Sequence, residues 1–326
     1  MKTEVVSAQE CAKAIKLLRD GEVVALPTET VYGLAADALN PDAVAKIFEA
    51  KERPRFDPLI VHLPNREALD EIATVESRLA RELMEKFWPG PLTIIFSKRE
   101  IVPDIVTAGL ETVAVRMSAH LTFHEVVRKL NRPLAAPSAN QFGRISPTTA
   151  QHVFDELNGR IPLIVDGGAT EHGIESTIVQ VANRVIAVWR RGPITDEMLR
   201  PFGEVREQTS PVTVGAPGQL PTHYAPRTKL IVVESLREFS PPSGKGIGVL
   251  CFSSVGDATP FAVVRQLSER GDPRQAAANF FRMLRELDRE DLDLIVAERL
   301  PEEGIGAAIN DRLARASARF DPSSRA

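Results

Sequence analysis

The sequence predicts an α/β protein in two parts: a mixed sheet wrapped by helices, then a smaller parallel-sheet domain. Three observations carry this. The chain has 326 residues, enough for two domains at roughly 150 residues each. Short apolar runs of strand length alternate along it with segments of helical periodicity. Between them, residues 203–228 read GEVREQTSPVTVGAPGQLPTHYAPRT, rich in proline, glycine and polar residues and without period, as an interdomain linker is.

The elements follow in order. Residues 8–20 place Cys11, Ile15 and Leu18 on one helical face, and Gly21 stops the helix. VVALP (23–27) is a buried-type strand, and TETVYGLAAD reads as the loop after it. Asn40-Pro41 supplies a cap and a first-turn proline for a helix that turns Val44, Ile47 and Phe48 inward. KERPRFDP (51–58) is too charged and proline-broken to continue it. PLIVHL (58–63) is a strand; Ser77 opens a helix through Phe87 that WPGP stops; LTIIFS (92–97) and TVAVRM (112–117) are strands. Residues 121–130 and 149–157 read as helices, PLAAPSAN (133–140) as a strand running into a loop, and LIVDGG, STIVQV and VIAVW as further strands. Beyond the linker, KLIVVE, GIGVLCF, FAVVRQL and LDLIVAE are parallel-type strands separated by helical segments, notably 272–289. The expected domains are 1–205, a linker or lid over 206–228, and 229–326.

Composition excludes several classes. Hydrophobic residues make up 43% and charged residues 26%, and the formal net charge is -4, so no global positive field gathers nucleic acid. Cys11 and Cys251 are the only cysteines; with no CxxC or Cys/His cluster, neither a zinc site nor a disulfide framework is expected. A reducing cytoplasm fits that usage. The N-terminus lacks a signal-peptide core, and no run approaches the ~18 apolar residues of a membrane span. Ser243-Gly244-Lys245-Gly246 lacks the P-loop's upstream glycine and its hydroxyl residue after lysine, and Gly246-Ile247-Gly248 and Gly304-Ile305-Gly306 lack the third glycine of a dinucleotide fingerprint. No GxSxG elbow or HExxH pair occurs.

Four segments place ligand-capable residues at strand ends. Pro27-Thr28-Glu29-Thr30-Val31-Tyr32-Gly33-Leu34 follows a buried strand with two hydroxyls, a carboxylate and a phenol; it equally suits a capped loop. Lys51, Arg53 and Arg55 put three cations in five residues beside prolines, and a lysine point charge with arginine forks suits phosphate oxygens. A solvated turn would read the same way, and His62 on the following strand also reads as a core histidine. Ala136-Pro137-Ser138-Ala139-Asn140 and Gly143-Arg144-Ile145-Ser146-Pro147 combine small residues with hydrogen-bonding ones, as a ligand loop or a turn cluster does. Glu175-Ser176-Thr177 and Arg190-Arg191-Gly192-Pro193 flank two strands. Together, cations at the strand ends of one open α/β sheet suit a polyphosphate ligand.

PTETVYGL, the AK-x-RP run followed by PLIVH, WPGPLT, TVAVRMS, APSAN-x-x-GR-x-SPT and ESTIV occur in one order and spacing. The series resembles the YrdC-like family, specifically its two-domain threonylcarbamoyl-AMP synthases; HYAP (223–226) and the EEGIGAAINDRLARAS ending are similar to the longer form. The resemblance implies a twisted mixed-sheet YrdC-like catalytic domain followed by a smaller Rossmann-like domain. It implies ATP, L-threonine and bicarbonate as substrates and Mg²⁺ with the ATP. It also implies that the adenylate passes to a separate tRNA threonylcarbamoyl transferase, which leaves room for a weak direct tRNA contact. By the same resemblance, Lys51, Arg53, Ser138 and Asn140 match the family's basic-and-polar tetrad. Arg53, Asp57, Thr112, Ser138, Ser146, Arg190 and Tyr224 match ATP-contacting positions. Thr30, His62, Arg116, Ala136 and Ser176 match threonine-contacting positions. Metal ligands are not specified.

Two departures stand out. Asp57 replaces a frequent asparagine, and a carboxylate beside triphosphate repels it unless Mg²⁺ or a protein cation intervenes. The linker run APGQLPTHYAP is also less basic than its counterparts. Two other functions fit parts of the pattern. A carbamoyltransferase shares a related domain but carries zinc fingers, which two cysteines cannot supply. An RNA-binding module would need more than 6% aromatic residues to offer stacking platforms.

Overall fold

The computed structural model describes residues 2–208, 220 and 222–320; of the expected linker, residues 209–219 and 221 lie outside the described set. The chain divides into two compact units: Met1–Phe142, Pro147–Glu171 and Glu175–Gln219 form the first, and Gly143–Ser146, His172–Ile174 and Leu220–Ala326 the second.

The first unit is built on one mixed sheet. Its strands are β1 (Glu4–Ser7), β2 (Val24–Leu26), β3 (Gly33–Asp37), β4 (Ile60–His62), β5 (Ala73–Thr74), β6 (Leu92–Lys98), β7 (Thr112–Arg116), β8 (Leu134–Ala135), β9 (Leu163–Asp166), β10 (Thr177–Ala182), β11 (Val185–Arg190) and β12 (Glu204–Glu207). Their spatial order is β1-β9-β2-β3-β8-β4-β7-β6-β10-β11-β12, with β5 paired to β6. The longer helices are α1 (Cys11–Arg19), α2 (Pro41–Lys51), α4 (Arg78–Phe87), α6 (Leu121–Leu130) and α7 (Ala150–Leu157); α3 (Leu69–Ile72), α5 (Asp104–Thr107) and α8 (Asp196–Leu199) are single turns.

Strand alternation explains how this sheet makes room for a site. Successive side chains point to opposite faces. On one face Ala25, Leu34, Ala36, Val61, Ile94, Val113, Val115 and Val179 join the main core, with Val44 and Ile47 of α2 and Leu83 of α4. On the other face Val24, Leu26, Ala35 and Leu134 pack under α1 and α6. His62 pairs with Leu134 across the β4–β8 ladder and so shares this second face. Its ring lies 4.7 Å, centroid to centroid, from Phe123 of α6. Beyond that contact the same face continues across β7, β6 and β10. There its apolar residues, Ile60, Ile95, Ala114 and Ile178, form a small separate cluster beside Trp189.

The sequence predicts most of the longer elements; the short α3, β5, α5 and α8 are not among them, and three further differences have physical reasons. GLAAD, read as loop, is β3. It has no β-branched residue and no alternation, yet all five residues are buried because both faces of this central strand carry a core, and that burial overrides propensity. EVVS forms β1 by pairing in parallel with β9, a contact more than 150 residues away that local pattern does not reveal. EVRE forms the edge strand β12 on β11, so residues 206–207 of the expected linker belong to the sheet. Charged side chains suit such an edge.

The second unit carries a parallel sheet of β13 (Leu230–Val233), β14 (Ile247–Cys251), β15 (Val263–Gln266) and β16 (Leu294–Glu298), ordered β13-β16-β14-β15. Helices α9 (Pro273–Arg289) and α10 (Gly304–Ala318) complete it. α10 was not foreseen, because glycines open it and glycine disfavours helix. Cys11 and Cys251 are free and buried. Among the described residues no helix is long and apolar enough to cross a membrane.

Asn40 caps α2 by accepting from the amides of Asp42 and Ala43. Asn40→Ala should cost about 1 kcal/mol and lower the first unit's melting temperature by about 2–4 °C, as read by calorimetry; an unchanged transition would show the cap to be dispensable.

Candidate active site

The face of the first unit's sheet that carries His62 holds buried polar residues in register. His62 pairs with Arg116 across β4–β7, and Arg116 with Thr93 across β7–β6. Thr93 pairs with Ile178 across β6–β10, and Ile178 with Arg190 across β10–β11. One row across five strands thus holds two arginines, a histidine and a threonine.

Arg116 is fixed from three sides. Its Nε donates to the Gly90 carbonyl at 3.2 Å, its Nη1 donates to Thr30 Oγ1 at 3.0 Å, and its Nη2 lies 2.6 Å from Glu29 Oε1. The last contact is ionic rather than a directed hydrogen bond, since neither atom meets hydrogen-bond geometry. Gly90 is required there: a Cβ would stand 2.4 Å from the Phe87 carbonyl oxygen. This gives the WPGPLT run a physical role. Burial alone would raise the Glu29 carboxyl, but the Arg116 charge and then the hydrogen bond from Ser118 outweigh it and hold the group at about 2. His62 is held neutral, at about 3, by burial and then by the nearby Arg116 charge. Its Nδ1 has no hydrogen-bond partner among the described residues.

Farther along the row, Arg190 Nε donates to the Ser176 carbonyl and its Nη2 to Ser176 Oγ, both at 3.1 Å. Ser176 Oγ also shares a 2.8 Å hydrogen bond with Thr93 Oγ1. Gly192 lets the two segments meet, because a Cβ would come within 2.5 Å of the Glu175 carbonyl oxygen and the Thr177 nitrogen.

The basic loop after α2 forms a second cluster. Arg53 Nη2 lies 2.8 Å from Asp57 Oδ2 and donates to the Pro58 carbonyl at 3.0 Å; its guanidinium sits 6.0 Å from the Phe142 ring centroid. Burial pushes the Asp57 carboxyl above its ordinary range, opposed by Arg53, Lys51 and Arg190 in that order. Two of the three cations singled out in that loop, Lys51 and Arg53, therefore act on one carboxylate together with Arg190 of β11, whereas Arg55 is exposed; the charge departure at Asp57 is met by a protein cation. Lys51 differs from expectation in its contacts. It is 1% exposed, and its Nζ donates to the carbonyls of Ser138 and Asn140, while its own carbonyl accepts from the Phe142 amide. Burial, then the Arg53 charge, pushes its amine well below the ordinary value. Two of its three ammonium donors thus hold the 138–142 loop in place.

The remaining candidates are dispersed. Thr112 begins β7 while Arg116 ends it, on the same face but about 13 Å apart at strand rise. Ala136, buried beside β8, donates its amide to the Ile60 carbonyl at 3.0 Å. Ser146 and Tyr224 belong to the second unit. There Ser146 is buried. Tyr224 takes a left-handed φ of 63°, and its ring packs 5.5 Å from that of Phe281 with the Arg312 guanidinium 5.8 Å from its centroid.

A protein-held metal does not fit these residues. Among those described, no three His, Cys, Asp or Glu side chains group as a metal site, and the buried carboxylates Glu29 and Asp57 each face an arginine. Sequence reasoning did not assign roles to Glu29, Thr93, Ser118 or Gly90. Thr93 and Ser118 end the quoted WPGPLT and TVAVRMS runs, but a single hydroxyl residue there gives no sign of its partner. Glu29 and Gly90 lay inside quoted motifs, but only folding brings them to Arg116.

Because His62 titrates near 6.5 when unfolded and at about 3 when folded, the unfolded chain binds more protons between those values. Stability should then fall as pH drops from about 6.5 toward 3, by at most about 1.4 kcal/mol per pH unit from this group. Urea unfolding of wild type and His62→Asn at pH 7, 6 and 5 should show a shallower slope in the variant; equal slopes would mean His62 is not buried neutral.

The chain is similar to known proteins along nearly its whole length. The Sua5/YciO/YrdC family profile, described as telomere recombination, matches residues 16–192. That of the threonylcarbamoyl-AMP synthase C-terminal domain matches 194–318. The threonylcarbamoyl-AMP synthase of Pyrococcus abyssi is 40% identical over 93% of each chain. That of Bacillus subtilis is 40% identical over 94% of this chain and 93% of its own. The crystal structure of P. abyssi Sua5 complexed with L-threonine superposes with a TM-score of 0.89 at 38% identity, covering 97% of this chain and 98% of that one. With a family profile over more than half its length and relatives this similar end to end, the chain belongs to the Sua5/YciO/YrdC family, in the form that carries the threonylcarbamoyl-AMP synthase C-terminal domain.

Proposed function

We propose that this protein is a nucleotidyltransferase that forms threonylcarbamoyl-AMP and pyrophosphate from ATP, L-threonine and bicarbonate. The observation that carries the reading is the buried Arg116, oriented on the sheet face beside Thr30 and the neutral His62. A guanidinium so placed recognises a carboxylate, and the P. abyssi relative was crystallised with L-threonine. The reaction suits a cytoplasmic protein, and the two buried free cysteines agree.

The chemistry needs no protein nucleophile. Threonine's amine, as the free base, adds CO₂ derived from bicarbonate and becomes a carbamate. The carbamate oxygen attacks the α-phosphate in line, and pyrophosphate leaves. Catalysis is then positioning and charge stabilisation. Arg116 would hold the threonine carboxylate. Thr30 and His62 would face its hydroxyl and amine, with Ala136 and Ser176 completing that end. Arg53 and Arg190, with Asp57 between them in charge terms, would meet the phosphates, while Thr112, Ser146 and Tyr224 would contact the nucleotide. Lys51 would hold the Ser138–Asn140 loop against it. Mg²⁺ would arrive on the triphosphate, since it takes substrate phosphates and water more readily than an all-protein cage. The adenylate would pass to a separate tRNA-modifying transferase, with at most weak tRNA contact by this chain.

Pyrophosphate release by wild type should require both threonine and bicarbonate, and mass spectrometry should find threonylcarbamoyl-AMP. Arg53→Ala should cut the rate by about 10²-fold or more while circular dichroism stays native. Release independent of threonine would overturn the synthase reading.

A further inference from the structure

Glu29 is a buried carboxylate with no part in the chemistry proposed above. It sits in the turn between β2 and β3, 4% exposed. Its Oε1 faces Arg116 Nη2 at 2.6 Å, and its Oε2 accepts the Ser118 hydroxyl. Ser118 Oγ in turn accepts the His120 amide at 3.3 Å. Burying a carboxylate is costly unless it is paired, so its presence on this face calls for a partner that needs it.

The hydroxyls beside it are closely engaged. Thr28 Oγ1 contacts the Val31 carbonyl at 2.6 Å and accepts from the amides of Thr30 and Val31. A 2.8 Å hydrogen bond joins it to Thr30 Oγ1, with either hydroxyl able to donate, and Thr30 Oγ1 also accepts from Arg116 Nη1. A hydroxyl has one donor and two acceptor positions, so in either arrangement Thr30 keeps one hydrogen-bonding position for a ligand. An arginine has five N–H donors. Gly90 and Thr30 engage one each, on Nε and Nη1, and Glu29 pairs by charge with Nη2. N–H groups on Nη1 and Nη2 remain for a ligand carboxylate.

We infer that Glu29 is a positioning residue: it fixes the Arg116 guanidinium and neutralises its charge, so that this end of the pocket selects a small hydroxy amino acid rather than any carboxylate. The inference rests on the synthase reading and adds to it the group that orients its amino-acid arginine. Without the counter-charge, Nη2 is released and the guanidinium becomes an unpaired cation that swings toward any anion. Glu29 lies with Arg116, so its effect belongs to the amino-acid substrate and not to the nucleotide.

Steady-state pyrophosphate release on the full-length protein tests this, with threonine and ATP varied separately. E29Q should lower kcat/KM for threonine at least about tenfold and leave KM for ATP within about twofold. E29D, which keeps the charge, should recover part of the loss, and S118A, which keeps Glu29 but frees its second oxygen, should show a smaller fall in the same direction. Acetate should inhibit E29Q more strongly than wild type. Wild-type kcat/KM for threonine in E29Q, an equal rise in both KM values, or no recovery in E29D would overturn the inference. Should E29Q fail to fold, S118A and E29D decide it on the same readouts. A wild type without threonine-dependent release refutes the synthase reading itself, whereas an active wild type with an indifferent E29Q refutes the role of Glu29 alone.

Discussion

The arrangement on the sheet face depends on one buried guanidinium. Arg116 ends β7, buried on the sheet face it shares with His62, and two separate segments hold it: the turn before β6 through the Gly90 carbonyl, and the turn before β3 through Thr30 and the carboxylate of Glu29. A buried ion pair is weak evidence of added stability, because desolvation cancels much of the attraction. Its value lies in orientation. The charge cannot rotate away without leaving a carboxylate unpaired, so the guanidinium keeps one orientation on the face.

The second cluster follows the same logic with reversed signs. Asp57 is a single buried carboxylate acted on by Arg53, Lys51 and Arg190, and Arg53 touches it. A cluster of buried cations repels itself. One carboxylate lowers that cost. Lys51 lowers it further, because burial disfavours its charged form and its amine can satisfy the Ser138 and Asn140 carbonyls whether or not it carries the third proton. Its burial makes Lys51 a tie between α2 and the following loop at least as much as a phosphate ligand.

Elements whose reasons are local were legible: the Asn40-Pro41 start of α2, the alternation of TVAVRM, the apolar LTIIFS. Those whose reasons are distant were not. β3 is a strand because two cores press on Gly33–Asp37, and β1 exists only through β9. Among site residues, Lys51, Arg53, His62 and Arg116 announced themselves as polar groups in apolar or proline-braced settings. Glu29 stood in plain view within PTETVYGL, yet its partner lies more than 80 residues on.

Sequence alone determined the family series, the α/β class and which residue types can meet phosphates and a carboxylate, because periodicity, caps and motif order are properties of neighbours along the chain. Only the tertiary structure decided which face β7 turns toward α6, that Arg116 meets Glu29 rather than water, and that Lys51 spends its donors on carbonyls. Those outcomes depend on strand order and register in a twelve-stranded sheet. Pairing across long separations is set by the collective burial of two cores, which no window of sequence contains.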